Sequence, residues 1–350
     1  MTYANIKKLF SKNSSAEVSA ELLNNMLEGK PSGNLIYVVG DNTDACGAFI
    51  ASILQKADIL AGRARSCFEL EARKLFSIGA DFVSPQDMEN FFGRTALPSL
   101  KNIQREALSC LFALDHFDKN NCEVIIFETT KDFFKNTLSK LNITPDIVIF
   151  TSIEEETLLK MTNTLPRGTK DAIYFSSRDN YDYISNRYSQ TGTRLTAVSS
   201  NKINIVKTNS FGTNFYYNTL PYKIQAAEHE NIIFAALSLE CISALSRLGM
   251  SFSNYSLTKG LESADLLFDF KLFSLSPTVI LKAGRLDMAT IPSFLKERAL
   301  TVIKEEDIPP SAFHKTVKSL VEQSSFDALL FSGSLSFLEN IKKELEKILK

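Results

Sequence analysis

Four short apolar runs constrain this chain more than any other feature: NLIYVV (34–39), EVIIF (123–127), DIVIFT (146–151) and AIYFSS (172–177). Each is rich in β-branched and aromatic residues, and none alternates apolar with polar positions. A strand that is apolar on both faces is what a parallel sheet covered by helices requires. Helical stretches lie between the runs, at 46–55, 86–92, 103–117 and 131–141. This alternation predicts an α/β fold with a mostly parallel sheet. Ser84 and Pro85 open the second helix: the serine caps free amides, and proline at the first helical position needs no donor.

The texture changes after Arg194. LTAVSS, INIVKT and TNFYYNTL, separated by Asn, Ser and Gly, read as a small antiparallel patch. A long helix follows over 228–248 and ends at Gly249, with Arg247 in its last turn. A second α/β texture then begins: TVILK (278–282), LTVIK (300–304), a helix over 312–323, ALLFS (328–332) and a charged helix over 337–350. Leu338, Ile341, Leu345, Ile348 and Leu349 give that last helix one apolar face, which predicts packing on the domain sheet. At about 150 residues per domain, the 350 residues divide into two. The expected boundary separates a central domain, 1–255, from a shortened C-terminal α/β domain, 256–350.

Lys plus Arg is 39 and Asp plus Glu is 40, a net charge of −1, so no basic excess marks a nucleic-acid binder. The apolar stretch 232–245 is broken by Ser238, Glu240 and Ser243, too short and too polar for a membrane span. The first residues, MTYANIKKLFSKNSS, carry no apolar secretory core. Five scattered cysteines without a C-x-x-C pair indicate neither a disulfide framework nor a zinc site. The three histidines, His116, His229 and His314, sit in no local cysteine-protease signature, so the thiols read as structural. The expectation is a cytoplasmic globular protein with neither nucleic-acid nor membrane partners.

Seven segments, in order, resemble the folylpolyglutamate and dihydrofolate synthases of the Mur ligase superfamily. VVGDNTDACGAFIASIL (38–54) is similar to their strand, glycine loop and helix, where the loop reads roughly GTNGKGST. FSIGADFVSPQDM (76–88), EVIIFE (123–128), DIVIFTSIEEE (146–156), EHENIIFAALSLECI (228–242), PTVILKAGR (277–285) and LLFSGSLSFL (329–338) resemble successive family motifs. The resemblance implies a P-loop-like central domain, ATP and Mg2+ as cofactors, and amide formation through an acyl phosphate. It places the ATP loop at Gly40, Asn42, Asp44, Cys46 and Gly47, a nucleotide-base position at Asn231 beside His229, and a metal ligand at Glu128.

The departures from the family pattern gather at those positions. Asp44 replaces the phosphate-binding lysine, and Cys46 replaces the metal-binding serine. Asp41 adds another carboxylate to the loop. Exchanging a cation for an anion about 4 Å from a phosphate turns an attraction of about 4 kcal/mol into repulsion at an effective dielectric near 20. Cysteine is also a soft ligand, poorly suited to magnesium. Thr157 stands where the family has a metal-binding histidine, with Glu154, Glu155 and Glu156 before it. The carbamylated-lysine position aligns near Met161. In the C-terminal domain, Lys282 and Arg285 replace an aspartate and a histidine.

Each position also has a plain reading. Gly40–Gly47 reads either as an altered anion loop or as a strand-to-helix connection that Asp44 caps. Glu128 reads as a metal ligand, a cap or an ion-pair partner. Asn231 reads as a base contact or a helix cap. The next basic residue after the loop, Lys56, lies beyond the second turn of the helix, so no local cation replaces the lysine unless an arginine such as Arg63 or Arg65 folds back toward the loop. The functional expectation is a relative that has lost ligation and binds another protein or a small anionic ligand in an inter-domain cleft. The alternative is a divergent ATP-dependent ligase adding glutamate to a folate- or pteroate-like carboxylate.

Overall fold

The computed structural model describes residues 1–11, 19–27, 29–68, 70–94, 103–151, 164–176, 192–209, 212–225, 229–267, 271–275, 278–283, 291, 295, 300–322 and 327–349. They fall into two compact units, Met1–Ile203 with Ile233–Ala264, and Asn204–Ile232 with Asp265–Lys350. The boundary expected at 255/256 lies inside the helix Asn254–Ser263.

The first unit begins with α1 (Tyr3–Ser11) and α2 (Ala20–Met26) and continues through β1 (Asn34–Val39), α3 (Thr43–Lys56) and β2 (Ala61–Ala64). A short hairpin, β3 (Phe76–Ile78) and β4 (Asp81–Phe82), precedes α4 (Pro85–Arg94) and α5 (Arg105–Lys119). Then come β5 (Val124–Thr129), α6 (Lys131–Asn136), β6 (Ile147–Phe150), β7 (Asp171–Ser176) and β8 (Arg194–Ser199). These strands form one sheet in the order β4-β3-β2-β5-β1-β6-β7-β8. The pairs from β2 through β5, β1, β6 and β7 to β8 are all parallel. The β2–β3–β4 edge is antiparallel. The apolar runs explain the centre: Leu35 to Val39, Val124 to Ile126 and Ile147 to Phe150 are shielded from solvent on both faces.

LTAVSS was expected in the antiparallel patch; instead, β8 pairs parallel with β7 at the sheet's edge. An edge strand is covered less completely, and the half-buried polar residues of β8 mimic the pattern of a half-exposed antiparallel strand. The expected helix over 131–141 stops at Asn136. Thr137 leaves helical geometry at φ −127° and ψ −64°, and a 3₁₀ turn, Leu138–Lys140, follows. At α4, Ser84 Oγ accepts from the Asp87 N–H at 3.1 Å, and Asp87 Oδ2 accepts from the Ser84 N–H at 3.3 Å, a reciprocal cap.

The second unit contains an antiparallel sheet in the order β11-β10-β9, from β9 (Ile203–Asn209), β10 (Gly212–Tyr217) and β11 (Leu220–Ile224). The chain continues through α7 (His229–Arg247) and α8 (Asn254–Ser263), whose residues from Ile233 onward belong to the first unit. There, α8 lies so close to α3 that a Cβ on Gly260 would come within 2.5 Å of Ile53 Cα. Next come β12 (Lys271–Leu275), β13 (Thr278–Ala283), β14 (Leu300–Lys304), α9 (Phe313–Glu322), β15 (Ala328–Gly333) and α10 (Leu335–Ile348). The sheet order is β12-β13-β15-β14, with β13 and β14 both parallel to β15. Leu338, Ile341 and Leu345 on α10 are fully buried, as the apolar stripe predicts. Ser334 caps α10 by accepting from the Phe337 N–H at 3.2 Å.

Asp146 ties the amino ends of the central strands together. Its carboxylate accepts from the Leu35 N–H at 3.0 Å and from Lys30 and Lys170 at 2.9 Å each. Burial works to raise its pKa, but the Leu35 amide and the two lysines outweigh burial and hold the carboxyl below its usual value. A depressed carboxyl stabilises the fold above the unfolded pKa, and that contribution is lost as pH falls through the folded one. Asp146→Asn is therefore expected to lower stability by about 1–2 kcal/mol at neutral pH. The difference from wild type should shrink below about pH 4. Urea titrations of both proteins at neutral and acid pH check this, and an undiminished difference at acid pH would refute it.

Candidate functional site

The site lies where the parallel strands end. In an open α/β sheet, ligands bind beyond the carboxyl ends of the strands at the point where the connections diverge, and here β1 sits between β5 and β6. The chain leaves β1 at Gly40, which has φ +137°, and its N–H donates to the Thr129 carbonyl at 3.1 Å. Asn42 adopts the left-handed conformation at φ 52°, which asparagine tolerates better than most residues, and α3 begins at Thr43. Thr151, just past β6, donates its hydroxyl to the Asp41 carbonyl at 2.6 Å. Lys131, at the start of α6, pairs with the Asp41 carboxylate at 2.6 Å. The loop is thus fastened by strands and helices on both sides.

Inside it lies a buried ion-pair network. Arg63 on β2 donates Nε–H to Glu128 Oε1 at 2.7 Å. Its Nη2 donates to the Asp44 carboxylate at 2.8 Å and to the Asp44 carbonyl at 2.6 Å. Arg65 approaches the same carboxylate at 3.6 Å. The second Glu128 oxygen, Oε2, accepts from the Ser66 N–H at 3.3 Å and the Thr43 hydroxyl at 3.4 Å. Both Glu128 oxygens are therefore engaged within the chain, and the side chain has no exposed surface. Gly47 lets α3 pass this close: a Cβ there would lie 2.2 Å from Glu128 Oε1 and 3.1 Å from Arg63 Nε.

Burial opposes the charge on Arg63, but Glu128 and Asp44 outweigh it and hold the guanidinium above the ordinary arginine range. Burial pushes the Glu128 carboxyl up, against the pull of Arg63. Cys46 lies beside this network, with Sγ 3.5 Å from the Ser238 hydroxyl of α7. Burial pushes its thiol up to about 12, so it carries no thiolate at neutral pH. Cys110, Cys122 and Cys241 are buried too, whereas Cys67 is half-buried. Titration of the folded chain with a thiol reagent should modify about one cysteine rapidly, with the others reacting only after unfolding. Rapid modification of Cys46 would show that α7 does not cover it.

Asp44 lies in the first turn of α3 and holds the arginines; the residue at the helix cap is Asn42, which makes no side-chain cap bond. Asn231 is buried near the start of α7. Lys282 lies within β13, paired in register with Ser332. Glu154, Glu155, Glu156, Thr157, Met161, Arg285 and the His229 side chain fall outside the described residues. Sequence reasoning named Arg63 and Arg65 only as a possible source of charge and gave no role to Thr43, Ser66 or Lys131. The AGRA run of β2 has no apolar pattern to mark it as a strand, so nothing local indicates that Arg63 points inward.

Among the described residues, the donor set at the loop does not fit a magnesium nucleotide. Arg63, the most deeply buried cation at the loop, is already shared between two carboxylates, and Arg65 approaches one of them. Glu128 has no free oxygen, and the position expected to offer a hydroxyl offers a buried thiol. Among the described residues, no group of three or more His, Cys, Asp or Glu side chains is placed to hold a metal ion. None of the described helices is long and apolar enough to cross a membrane.

No protein-family model matches the sequence, and no curated protein matches it. Solved structures do. Folylpolyglutamate synthetase from Lactobacillus casei superposes with a TM-score of 0.80 at 14% identity, over 99% of this chain and 100% of that one. Folylpolyglutamate synthase from Thermotoga maritima gives 0.77 at 13%, over 99% and 97%. A bifunctional folylpolyglutamate synthase/dihydrofolate synthase with Mn, AMPPNP and L-glutamate bound gives 0.73 at 14%, over 100% and 98%. At this identity the likeness establishes the fold: the chain has the two-domain α/β architecture of the folylpolyglutamate synthases, as the seven segments led us to expect.

Proposed function

We propose that this chain is a folylpolyglutamate-synthase-like protein that has lost ATP-dependent amide ligation and acts in the cytoplasm by binding a partner protein or a small anionic ligand. The observation that carries the reading is the position of Arg63 between Asp44 and Glu128. Phosphoryl transfer is catalysed almost entirely by positioning and by neutralising charge on the transferred group. A guanidinium already neutralised by two carboxylates has little charge to offer a phosphate, and a carboxylate bonded to that guanidinium has little to offer magnesium. Arg63 therefore does not stand in for the missing lysine.

Calorimetric titration with Mg-ATP, together with an assay for glutamate addition to folate and dihydropteroate, tests the proposal. The expected result is no heat of binding at millimolar nucleotide and no ADP release. Micromolar binding with glutamate-dependent ADP release would instead establish the divergent ligase.

A further inference from the structure

The network at the loop has a feature that loss of catalysis alone does not require. A decayed metal site would leave its carboxylate exposed to water or replaced by an uncharged residue. Here Glu128 is retained, has no exposed surface, and has every near neighbour arranged around its charge. Removing a cation from such a carboxylate without replacing it leaves a buried, unpaired charge, one of the costliest defects in a folded chain. Asp44, which is partly exposed and has Arg65 at 3.6 Å as well, takes hydrogen bonds from Arg63 on both its carboxylate and its carbonyl.

Arg63 also bridges three elements. Its backbone is in β2, Glu128 is in β5, and Asp44 opens α3, the helix that follows β1. A planar guanidinium with donors on two edges spans acceptors on different elements, which the single nitrogen of lysine does not do. Gly47 matters here as well, because any side chain would occupy the space between Glu128 and the helix.

We propose that the Arg63 guanidinium is the resident cation of this loop, holding Asp44 and Glu128 together where a divalent metal would otherwise be needed, so that the loop keeps its shape with no metal or nucleotide bound. This rests on the reading of lost ligation but adds a definite structural role. Set against the lysine of the resembled family loop, Asp44 with the buried Arg63 forms one compensated exchange: a fixed positive charge inside the loop and two carboxylates that share it.

The exchange predicts that a cation site reappears when the fixed cation is removed. Thermal unfolding of the full chain is followed by circular dichroism for wild type, Arg63→Ala, Arg63→Lys and Arg63→Ala/Glu128→Gln, each with a chelator and with millimolar MgCl2, MnCl2, Mg-ATP or guanidinium chloride. The wild-type midpoint should be the same in every condition. Arg63→Ala should unfold at a lower temperature, and Mn2+ or guanidinium should recover part of the loss, increasingly with concentration. Adding Glu128→Gln should abolish the recovery by Mn2+. Arg63→Lys should fall between wild type and Arg63→Ala, and it supplies the reading if Arg63→Ala does not fold: a wild-type midpoint for the lysine variant would overturn the bridging role. An Arg63→Ala protein that is as stable as wild type, or that responds to no added cation, would overturn the inference and leave the loss of ligation standing. A wild-type midpoint that rises with Mg-ATP would overturn the loss of ligation itself.

Discussion

Replacing Glu128 by alanine is expected to lower the stability of the full chain by about 3–5 kcal/mol, the range for breaking a buried ion pair by removing one partner. Three consequences add. Arg63 keeps only Asp44 as a charged partner near it in the loop, and its own side chain is 4% exposed. The Ser66 N–H and the Thr43 hydroxyl lose the acceptor they share, although Thr43 and Ser66 still bond each other at 2.7 Å. A cavity also opens against α3 at Gly47, where no side chain can fill it. Glu128→Gln keeps an oxygen for Arg63 Nε and the packing volume, so it should cost less, about 1–3 kcal/mol. Urea unfolding of the three proteins, monitored by circular dichroism, measures both differences. A cost below about 1 kcal/mol for alanine would mean that Glu128 is hydrated in solution and open to a metal, and the pairing with Arg63 would not hold.

The sequence made the centre of the large sheet readable because those strands are buried on both faces. Burial on both faces leaves an unbroken apolar run at 35–39, 124–127 and 147–150. The sheet's margins carry no such signal. β2 contains Gly62 and Arg63, the β3–β4 hairpin is too short to show a pattern, and β8 is half-covered. The candidate site divides along the same line. Gly40, Asp44, Gly47 and Glu128 flank two of the most readable strands, so the runs place the loop and the end of β5, while only the family resemblance singles out these residues within them. Arg63 was weighed only as a charge that might reach the loop, because a buried arginine is explained by partners distant in sequence. Its partners lie 19 and 65 residues away, at Asp44 and Glu128. What the family resemblance conveys is that Asp44 stands where the resembled loop has a lysine; where a cation sits in this loop is a property of the packed sheet.

Placing a lysine at position 44 should therefore damage the protein and confer no ATP turnover. In wild type, the Asp44 carboxylate lies 2.8 Å from Arg63 and 3.6 Å from Arg65, and its side chain is 18% exposed. Asp44→Lys removes the acceptor and places a third cation against two arginines. Lost charged hydrogen bonds of about 1.5–3 kcal/mol, together with new repulsion moderated by partial exposure, predict a destabilisation of about 2–4 kcal/mol. The variant should show no ATP turnover above a no-enzyme control. Glu128 would still be held by Arg63, and position 46 would still present a buried thiol where a magnesium ligand is needed. Adding salt should recover part of the stability, because repulsion among partly exposed charges is screened. Phosphate release and urea unfolding, each at low and high ionic strength, test these outcomes together. Turnover by the single mutant would mean that Arg63 yields its place when a nucleotide arrives, so the ion-pair network would be a resting state of a working site. Wild-type stability without turnover would mean that Asp44 merely occupies the loop, leaving the Arg63–Glu128 pair alone to hold it.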